Sequence, residues 1–185
     1  MFTQSEPIGI IQNHIKVFQA TEGDNTPAVL GLLVQTAEWL KSRGSTQWSG
    51  LLQGEDSHRT PEAIKRGEVY IFVQDDTLMG MVMLMQQASP WDRELWGEEG
   101  HESSVYLHRL NINRAAAGTN LGEAIVHWSS SGIHFPGKDR IRLDCIANNP
   151  KLNDFYRSAC GYEFKGTASN PIGDFNLYEK KVSEQ

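Results

Sequence analysis

The sequence is poor in cysteine and in long apolar runs, and each shortage argues against a class of protein. Its 185 residues include two cysteines, Cys145 and Cys160, in different expected elements and without metal-ligand spacing. Neither a disulfide framework nor a zinc or other metal site is therefore indicated, and we expect two buried apolar thiols. Since no apolar run approaches the roughly 18 to 20 residues that cross a bilayer, we expect no membrane span.

Basic residues are also scarce relative to acidic ones. With 17 Lys and Arg against 23 Asp and Glu, the formal net charge is −6. This balance disfavours non-specific nucleic-acid binding and mildly favours cationic partners such as amines. The start, MFTQSEPIG, lacks a basic segment followed by an apolar stretch, so we expect no secretory signal and a cytoplasmic address.

Hydrophobic periodicity predicts an α/β (α+β) fold of about seven strands and about four helices in the order β-α-α-β-β-β-α-β-α-β-β. The expected strands are 15–20, 68–74, 77–87, 105–112, 141–147, 161–166 and 175–182, and the expected helices are 28–44, 61–67, 121–130 and 149–159. We expect a mixed sheet covered by helices, with parallel pairing confined to the crossover from 105–112 to 141–147.

A polar segment, 88–104, separates two of these strands and is expected to be a long surface loop. It contains Trp91 and Trp96, which are unusual in such a loop. Two large aromatic residues there either hold the loop onto the core or line a substrate entrance.

The stretch NRAAAGTNLG, 113–122, joins an expected strand to an expected helix and has hardly a side chain that can pack or react. A helix start presents unpaired backbone N–H groups at the positive end of the helix dipole, which favours phosphate. A Walker A loop is excluded because Glu123 follows Gly122, and GTNLG lacks the Rossmann glycine spacing. The alternative is a plain helix entry capped by Thr119 or Asn120.

Two longer segments give this junction a context: VYLHRLNINRAAAGTNLGEAIVHW and IRLDCIANNPKLNDFYRSACGYEFKG. Together they resemble the GNAT superfamily of acyl-CoA-dependent N-acyltransferases. The family pattern has a hydrophobic strand, an Arg/Gln-x-x-Gly-x-Gly loop opening a helix, and another strand. Asn-x-x-Ala/Leu with a Tyr four residues later and a closing Gly-Phe/Tyr complete it. The resemblance covers about 15–182 and implies a single GNAT-like domain over 1–185.

Individual residues match this pattern. Asn149, Leu152 and Tyr156 match its Asn-x-x-Leu and Tyr positions, and Gly161-Tyr162 match its closing pair.

The loop departs from the pattern. Aligning the loop at Leu121-Gly122 places Asn120 at the family's first glycine and Ala117 at its Arg/Gln. Gly118 is then an additional glycine, and Arg114 is left to supply the positive charge.

The resemblance implies transfer of an acetyl group from acetyl-CoA to a primary amine by direct attack. It implies a bulged strand before the loop, with a backbone N–H near Leu110 to Ile112 facing the thioester oxygen. The implied cofactor-binding residues are Leu110, Asn111, Ile112, Arg114, Ala117, Gly118, Thr119, Asn120, Leu121, Gly122 and Asn149.

Tyr156 is the expected general acid for the departing thiolate, against the alternative of a packed helix tyrosine. On the strand before the loop, alternation places Tyr106, His108, Leu110 and Ile112 on one face. His108 is the group there whose ordinary pKa lies near neutrality. It is a candidate base or water-relay partner, or else a structural or substrate-lining histidine.

Trp48 and Tyr106 are expected to line the acceptor site, although Trp48 equally suits core or loop packing. For Asp144, inside a strand, we expect an ion pair or hydrogen bond, and for His127 a solvated or capping role.

A second function fits the same residues: a non-catalytic acyl-CoA-binding or sensing module, suggested by Asn120 and Ala117. A plain structural domain, whose loop is only a helix cap, is the third. A homodimer is possible.

Overall fold

A computed structural model describes residues 6–23 and 25–182. The strands are β1 (Gly9–Ile11), β2 (Ile15–Gln19), β3 (Val69–Gln74), β4 (Thr77–Met85), β5 (Ser104–Ile112), β6 (Arg140–Ile146), β7 (Glu163–Asn170) and β8 (Gly173–Lys181). The α-helices are α1 (Asn25–Ser42), α2 (Thr60–Lys65), α3 (Pro90–Trp96), α4 (Leu121–Ser131) and α5 (Pro150–Asp154). Short 3-10 helices follow α1 and β5, and a π-helical turn, Phe155–Ala159, follows α5.

The strands follow the order β1-β2-β3-β4-β5-β6-β8-β7 in one sheet. β5 and β6 pair in parallel, whereas the β1/β2, β2/β3, β3/β4, β6/β8 and β7/β8 pairs are antiparallel. The expected mixed sheet with its parallel crossover is thus confirmed. The parallel ladder runs from Ser104 opposite Arg140 to Tyr106 opposite Arg142 and stops there, although both strands continue.

Two elements were not predicted from the sequence: the short strand β1 and helix α3. The prediction of a long irregular loop over 88–104 is wrong for its first half. Ser89 accepts a hydrogen bond from the Asp92 amide while the Asp92 carboxylate accepts one from the Ser89 amide, which is a capping box. Pro90 occupies the first helical position, where its missing N–H costs nothing.

The described residues divide into two compact units. The first contains the residues up to Met83 together with Arg109–Ile125. Within it α4 lies close to β4 and β5. A Cβ on Gly80 would come within 2.8 Å of the Ile125 Cδ1 atom and 3.1 Å of the Asn111 carbonyl oxygen. Glycine at this position therefore allows the helix that follows the candidate loop to approach the sheet.

The second unit contains Leu84–His108 and the residues from Val126 onward. Trp91 packs edge-on against Phe175 with ring centroids 4.9 Å apart, and Trp96 lies against the same apolar cluster. The two tryptophans therefore hold α3 onto the core, as one of the two sequence-based interpretations predicted. Cys145 and Cys160 are buried and unbridged, which confirms the expectation for both thiols.

Asn153 connects three elements of the second unit. Its amide nitrogen donates to the carbonyl oxygens of Ile146 and Asn149, at 3.0 and 2.8 Å. Its amide oxygen accepts from Asn176, at 2.7 Å, and from the Tyr178 hydroxyl, at 2.8 Å. Because one side chain satisfies groups on β6, α5 and β8, it fixes where α5 begins.

No helix among the described residues is long and apolar enough to cross a membrane. The expectation of a single domain stays a prediction.

Candidate active site

Strand β5 is interrupted at Arg109, whose φ of 53° is left-handed. A left-handed residue inside a strand produces a bulge and redirects the side chains that follow. Strand β5 is therefore distorted where the bulge before the loop was expected. The prediction that Tyr106, His108, Leu110 and Ile112 share one face assumed an unbroken alternation. Because Arg109 breaks that alternation, spacing alone cannot assign the four residues to one face.

After β5 the chain enters a tight turn held by its own side chains. The Asn113 side chain donates to the Leu78 carbonyl, at 2.9 Å, and accepts from the Ala115 amide, at 3.0 Å. The Thr119 hydroxyl donates to the Ala116 carbonyl, at 2.7 Å. The turn is thereby anchored to β4 at one end and closed on itself at the other.

Two residues of the loop have left-handed backbones, Gly118 with φ 80° and Asn120 with φ 58°. Asparagine is one of the few residues other than glycine that adopts this conformation readily. Asn120 stands where the family pattern has its first glycine. It therefore provides the backbone geometry that glycine would otherwise supply.

Where the loop meets α4, the amide N–H groups of Gly118, Asn120, Leu121 and Gly122 have no hydrogen-bond acceptor among the described residues. The first bond at the start of α4 is donated by Ala124 to the Asn120 carbonyl. A row of unpaired amides at the beginning of an 11-residue helix is suited to an anion.

The same unit also contains a positively charged side chain, Arg114, and a side-chain amide, Asn111, close in sequence to this row. The Arg114 guanidinium lies 4.0 Å from the centre of the Trp39 ring, a cation–π contact that positions the charge. Asn111 is 2% exposed and accepts a hydrogen bond from the Thr36 hydroxyl. Its Nδ2 atom is buried and has no hydrogen-bond partner in the part of the chain that the structure describes, so a donor is available where β5 ends.

In the second unit His108 meets a carboxylate. Its Nε2 atom lies 2.8 Å from Asp92 Oδ1, and the two side chains are 7% and 1% exposed. The other Asp92 oxygen, Oδ2, accepts from the Ser89 amide and hydroxyl. The carboxylate is thus fixed by the start of α3, and it can stabilise the imidazolium form of His108.

Asp144 of β6 completes a cluster with this pair. One ligand-type atom from each of Asp92, His108 and Asp144 lies within 4.8 Å of the others. Asp144 accepts from the Trp91 indole N–H, at 3.1 Å, which confirms the expected hydrogen-bond role. Burial raises the pKa of Asp144, while His108 acts in the opposite direction.

Tyr156 lies in the π-helical turn, a distortion that is frequent at functional sites. It is 7% exposed, and its ring lies near those of Tyr162 and Tyr178. Its hydroxyl donates to no acceptor among the described residues, and burial raises its pKa. The phenol therefore stays protonated at neutral pH, as a general acid requires.

The remaining site candidates have structural partners. The Asn149 side-chain oxygen caps α5 by accepting from the Leu152 amide, at 3.1 Å. Tyr106 is fully buried, and its hydroxyl contacts His101 and Arg142. Trp48 is half-buried beside Arg109. A ligand-binding role for each of these residues stays a prediction.

Sequence reasoning did not single out Asp92 of the second unit or Arg109 of the first. The Ser-Pro-Trp-Asp order of a capping box was a usable signal for Asp92, because it marks the start of a helix. Arg109 had no such signal. The resemblance implied a bulge in this strand, but no residue type around Arg109 indicates that its backbone in particular is left-handed.

Comparison with known proteins assigns the fold and the family. No family model matches the chain. The uncharacterized N-acetyltransferase YesJ of Bacillus subtilis is 48% identical over 162 residues, which cover 88% of each chain. A GNAT-family acetyltransferase from Listeria monocytogenes superimposes with a TM-score of 0.75 at 32% identity, over 94% of this chain and 98% of that one.

A more distant likeness shows the fold alone. The PaiA N-acetyltransferase from Thermoplasma acidophilum, solved in complex with coenzyme A, has a TM-score of 0.67 at 15% identity. The matched region covers 91% of this chain and 99% of that one.

The raised pKa of Asp144 predicts a stability change that depends on pH. The folded protein favours the protonated form of Asp144. The contribution of this residue to the free energy of unfolding is therefore fully present below its unfolded pKa of about 3.9, and it is lost as the pH rises through its pKa in the folded protein. We expect Asp144→Asn, which keeps an acceptor for Trp91, to have a higher free energy of unfolding than wild type at pH 7. The gain should shrink toward pH 4 in urea titrations.

Asp154→Asn is the matched control for this experiment, because Asp154 is 66% exposed. It should change stability little at any of these pH values. An Asp144→Asn protein that is less stable than wild type at pH 7 would contradict the account of the cluster.

Proposed function

The chain belongs to the GNAT family of N-acetyltransferases, and from that premise we propose that it transfers an acetyl group from acetyl-CoA to a primary amine by direct attack. The observation that carries this proposal is the row of amide N–H groups at the start of α4, those of Gly118, Asn120, Leu121 and Gly122, which have no acceptor among the described residues. Pyrophosphate is a doubly charged group that such a row, at the positive end of a helix dipole, is suited to bind.

The residues around the loop fit coenzyme A in three further respects. Gly118 and Ala117 have little or no side chain to obstruct a phosphate near the backbone. Arg114 brings a positive charge to the same loop. The buried Asn111 Nδ2 atom offers an unused donor. The coenzyme A bound to the related PaiA fold is consistent with this assignment.

Acetyl-CoA supplies the acetyl group as a thioester. The amine nitrogen forms the new C–N bond, the C–S bond breaks, and the coenzyme A thiol leaves. The protein has to remove a proton from the amine, stabilise the oxyanion and return a proton to sulfur. Backbone N–H groups between Leu110 and Ile112 are our candidates for the oxyanion, because the bulge at Arg109 interrupts the regular strand beside them.

We assign the proton acceptor to His108 and a positioning role to Asp92. The Asp92 carboxylate stabilises the charge that His108 acquires when it takes a proton. Tyr156 is assigned as the acid for the thiolate, since its hydroxyl is protonated and makes no hydrogen bond to the described residues. These three assignments use groups that are buried and held by neighbours.

The non-catalytic reading is less well supported. It depends on Asn120 and Ala117 differing from the family pattern. Asn120 nevertheless adopts the left-handed backbone that a glycine would provide, so the substitution leaves the amide row in place.

The proposed function predicts both binding and turnover. Acetyl-CoA at about 100 times its Kd should stabilise the fold by about 2.7 kcal/mol, seen as a higher Tm. A panel of primary amines should then include at least one that releases the coenzyme A thiol with an equal amount of N-acetyl product. Stabilisation without turnover on any amine would favour a sensor, and no stabilisation at all would exclude both.

The loop assignment predicts a specific effect of charge at Asn120. Asn120→Asp places a carboxylate among the amides, so the KM for acetyl-CoA should rise at least about fivefold, with a smaller change in kcat. Asn120→Gly is the matched control and should change this KM by less than about twofold, since glycine accepts the same φ. Equal KM values for the two variants would place the pyrophosphate elsewhere.

The assignment of His108 as the base predicts a loss of activity that removing the Ser89 helix cap does not produce. His108→Ala should lower kcat/KM by roughly 100-fold or more near neutral pH, and Asp92→Asn should lower kcat. Ser89→Ala removes the hydroxyl from the capping box but leaves the Asp92 contact to His108, so it should lower stability by about 1 kcal/mol while kcat is kept. A His108→Ala enzyme with wild-type kcat/KM from pH 6 to 9 would refute the assignment.

A further inference from the structure

The first unit contains a buried cation that the proposed chemistry does not use. The Arg109 side chain is 6% exposed, and its guanidinium lies 5.3 Å from the centre of the Trp48 ring. One of its nitrogens donates to the Ser57 hydroxyl, at 3.2 Å, and lies 3.7 Å from Asp56 Oδ1.

Most of the hydrogen-bonding capacity of this guanidinium is unused. Arginine has five N–H donors, and among the described residues only Ser57 accepts one within hydrogen-bond distance. The Nε atom is buried without a partner. Removing a charge from water without replacing its hydrogen bonds is unfavourable, so this arrangement is incomplete as a purely structural one.

Asp56 neutralises this cation only in part. Its Oδ2 atom accepts from the Thr60 amide, at 2.6 Å, and its Oδ1 atom accepts from the His58 amide, at 3.3 Å. The carboxylate is thus held at the start of α2. At 3.7 Å it attracts Arg109 without forming the paired hydrogen bonds of a bidentate ion pair.

The position of Arg109 in the chain connects it to the proposed reaction. It directly precedes Leu110, the first residue of the segment to which we assign the thioester oxygen. One residue of a strand spans about 3.3 Å. The backbone of Arg109 is therefore adjacent to that segment, and its guanidinium lies with Trp48 and Asp56 in the same unit of the protein.

We propose that Arg109 recognises the acceptor and that the acceptor is an amino-acid-like compound, a primary amine that also carries a carboxylate. The carboxylate pairs with the guanidinium beside the flat face of Trp48. A guanidinium matches the two oxygens of a carboxylate, and a dianionic phosphate would be repelled more strongly by the nearby Asp56. This inference rests on the proposed function and narrows its acceptor class.

Matched pairs of acceptors test the proposal directly. Each pair is an α-amino acid and the primary amine formed by its decarboxylation, so the members differ only in the carboxylate. Wild type should show a kcat/KM at least about tenfold higher for the amino acid of the preferred pair, measured by release of the coenzyme A thiol. Arg109→Gln should lose this preference through the acceptor KM, with the KM for acetyl-CoA unchanged.

Two further variants distinguish recognition from a structural ion pair. Asp56→Asn removes the competing carboxylate and should increase the preference for the amino acid, whereas a structural pair predicts a lower Tm and no change in preference. Arg109→Lys keeps the positive charge but not the planar guanidinium that donates two hydrogen bonds to a carboxylate, so it should retain part of the preference for the amino acid. Arg59→Gln removes a 72% exposed arginine from the same segment and should leave the preference at its wild-type value.

The outcomes separate this proposal from the broader one. Turnover of the decarboxylated amines at equal or higher kcat/KM overturns the recognition of a carboxylate and leaves the N-acetyltransferase activity standing. No thiol release with any pair, together with no rise in Tm on adding acetyl-CoA, overturns both. A preference that persists unchanged in Arg109→Gln and Asp56→Asn overturns the role of Arg109 alone.

Discussion

The left-handed backbone at Arg109 is the constraint on which the candidate site depends. A strand that alternated regularly through this residue would continue to direct its side chains by a period of two. The break separates β5 into two parts with different surroundings. His108, before it, meets Asp92 at the start of α3, and Asn111, after it, presents a buried amide with an unused donor. A non-glycine residue with positive φ is unfavourable by itself, and such strain is found preferentially where function requires it.

The buried polar groups of the protein fall into two kinds. Asn153 has partners for both its donors and its acceptor, and it organises β6, α5 and β8. Arg109 and Asn111 are more deeply buried than the half-buried Asn153, yet each has a nitrogen without an acceptor among the described residues. Satisfied networks stabilise a fold, whereas an unsatisfied donor lowers stability unless something binds it. These two residues lie two positions apart on β5, the strand that leads into the loop.

The sequence predicted the fold well because the pattern of each long element is local. The strand 105–112 and the helix 121–130 are found within a residue of the expected bounds. The cluster of Asp92, His108 and Asp144 could not be predicted in this way, since its members come from α3, β5 and β6 and meet only in the folded chain. Helix α3 was missed for another reason: polar composition outweighed the capping signal at Ser89. Whether the named residues bind ligand stays a prediction.

The loop shows why departure from a motif need not mean loss of its backbone geometry. In 113–122 the groups suited to an anion are backbone amides, and side chains matter mainly through the φ angles they allow. Asn120 replaces a glycine of the family pattern and keeps a left-handed backbone, with φ 58°. Ala117 replaces an Arg or Gln, and the positive charge of the loop comes from Arg114, held against Trp39. A sequence motif lists the residues that most often adopt a required backbone conformation. This chain can therefore adopt that conformation with residues that differ from the motif.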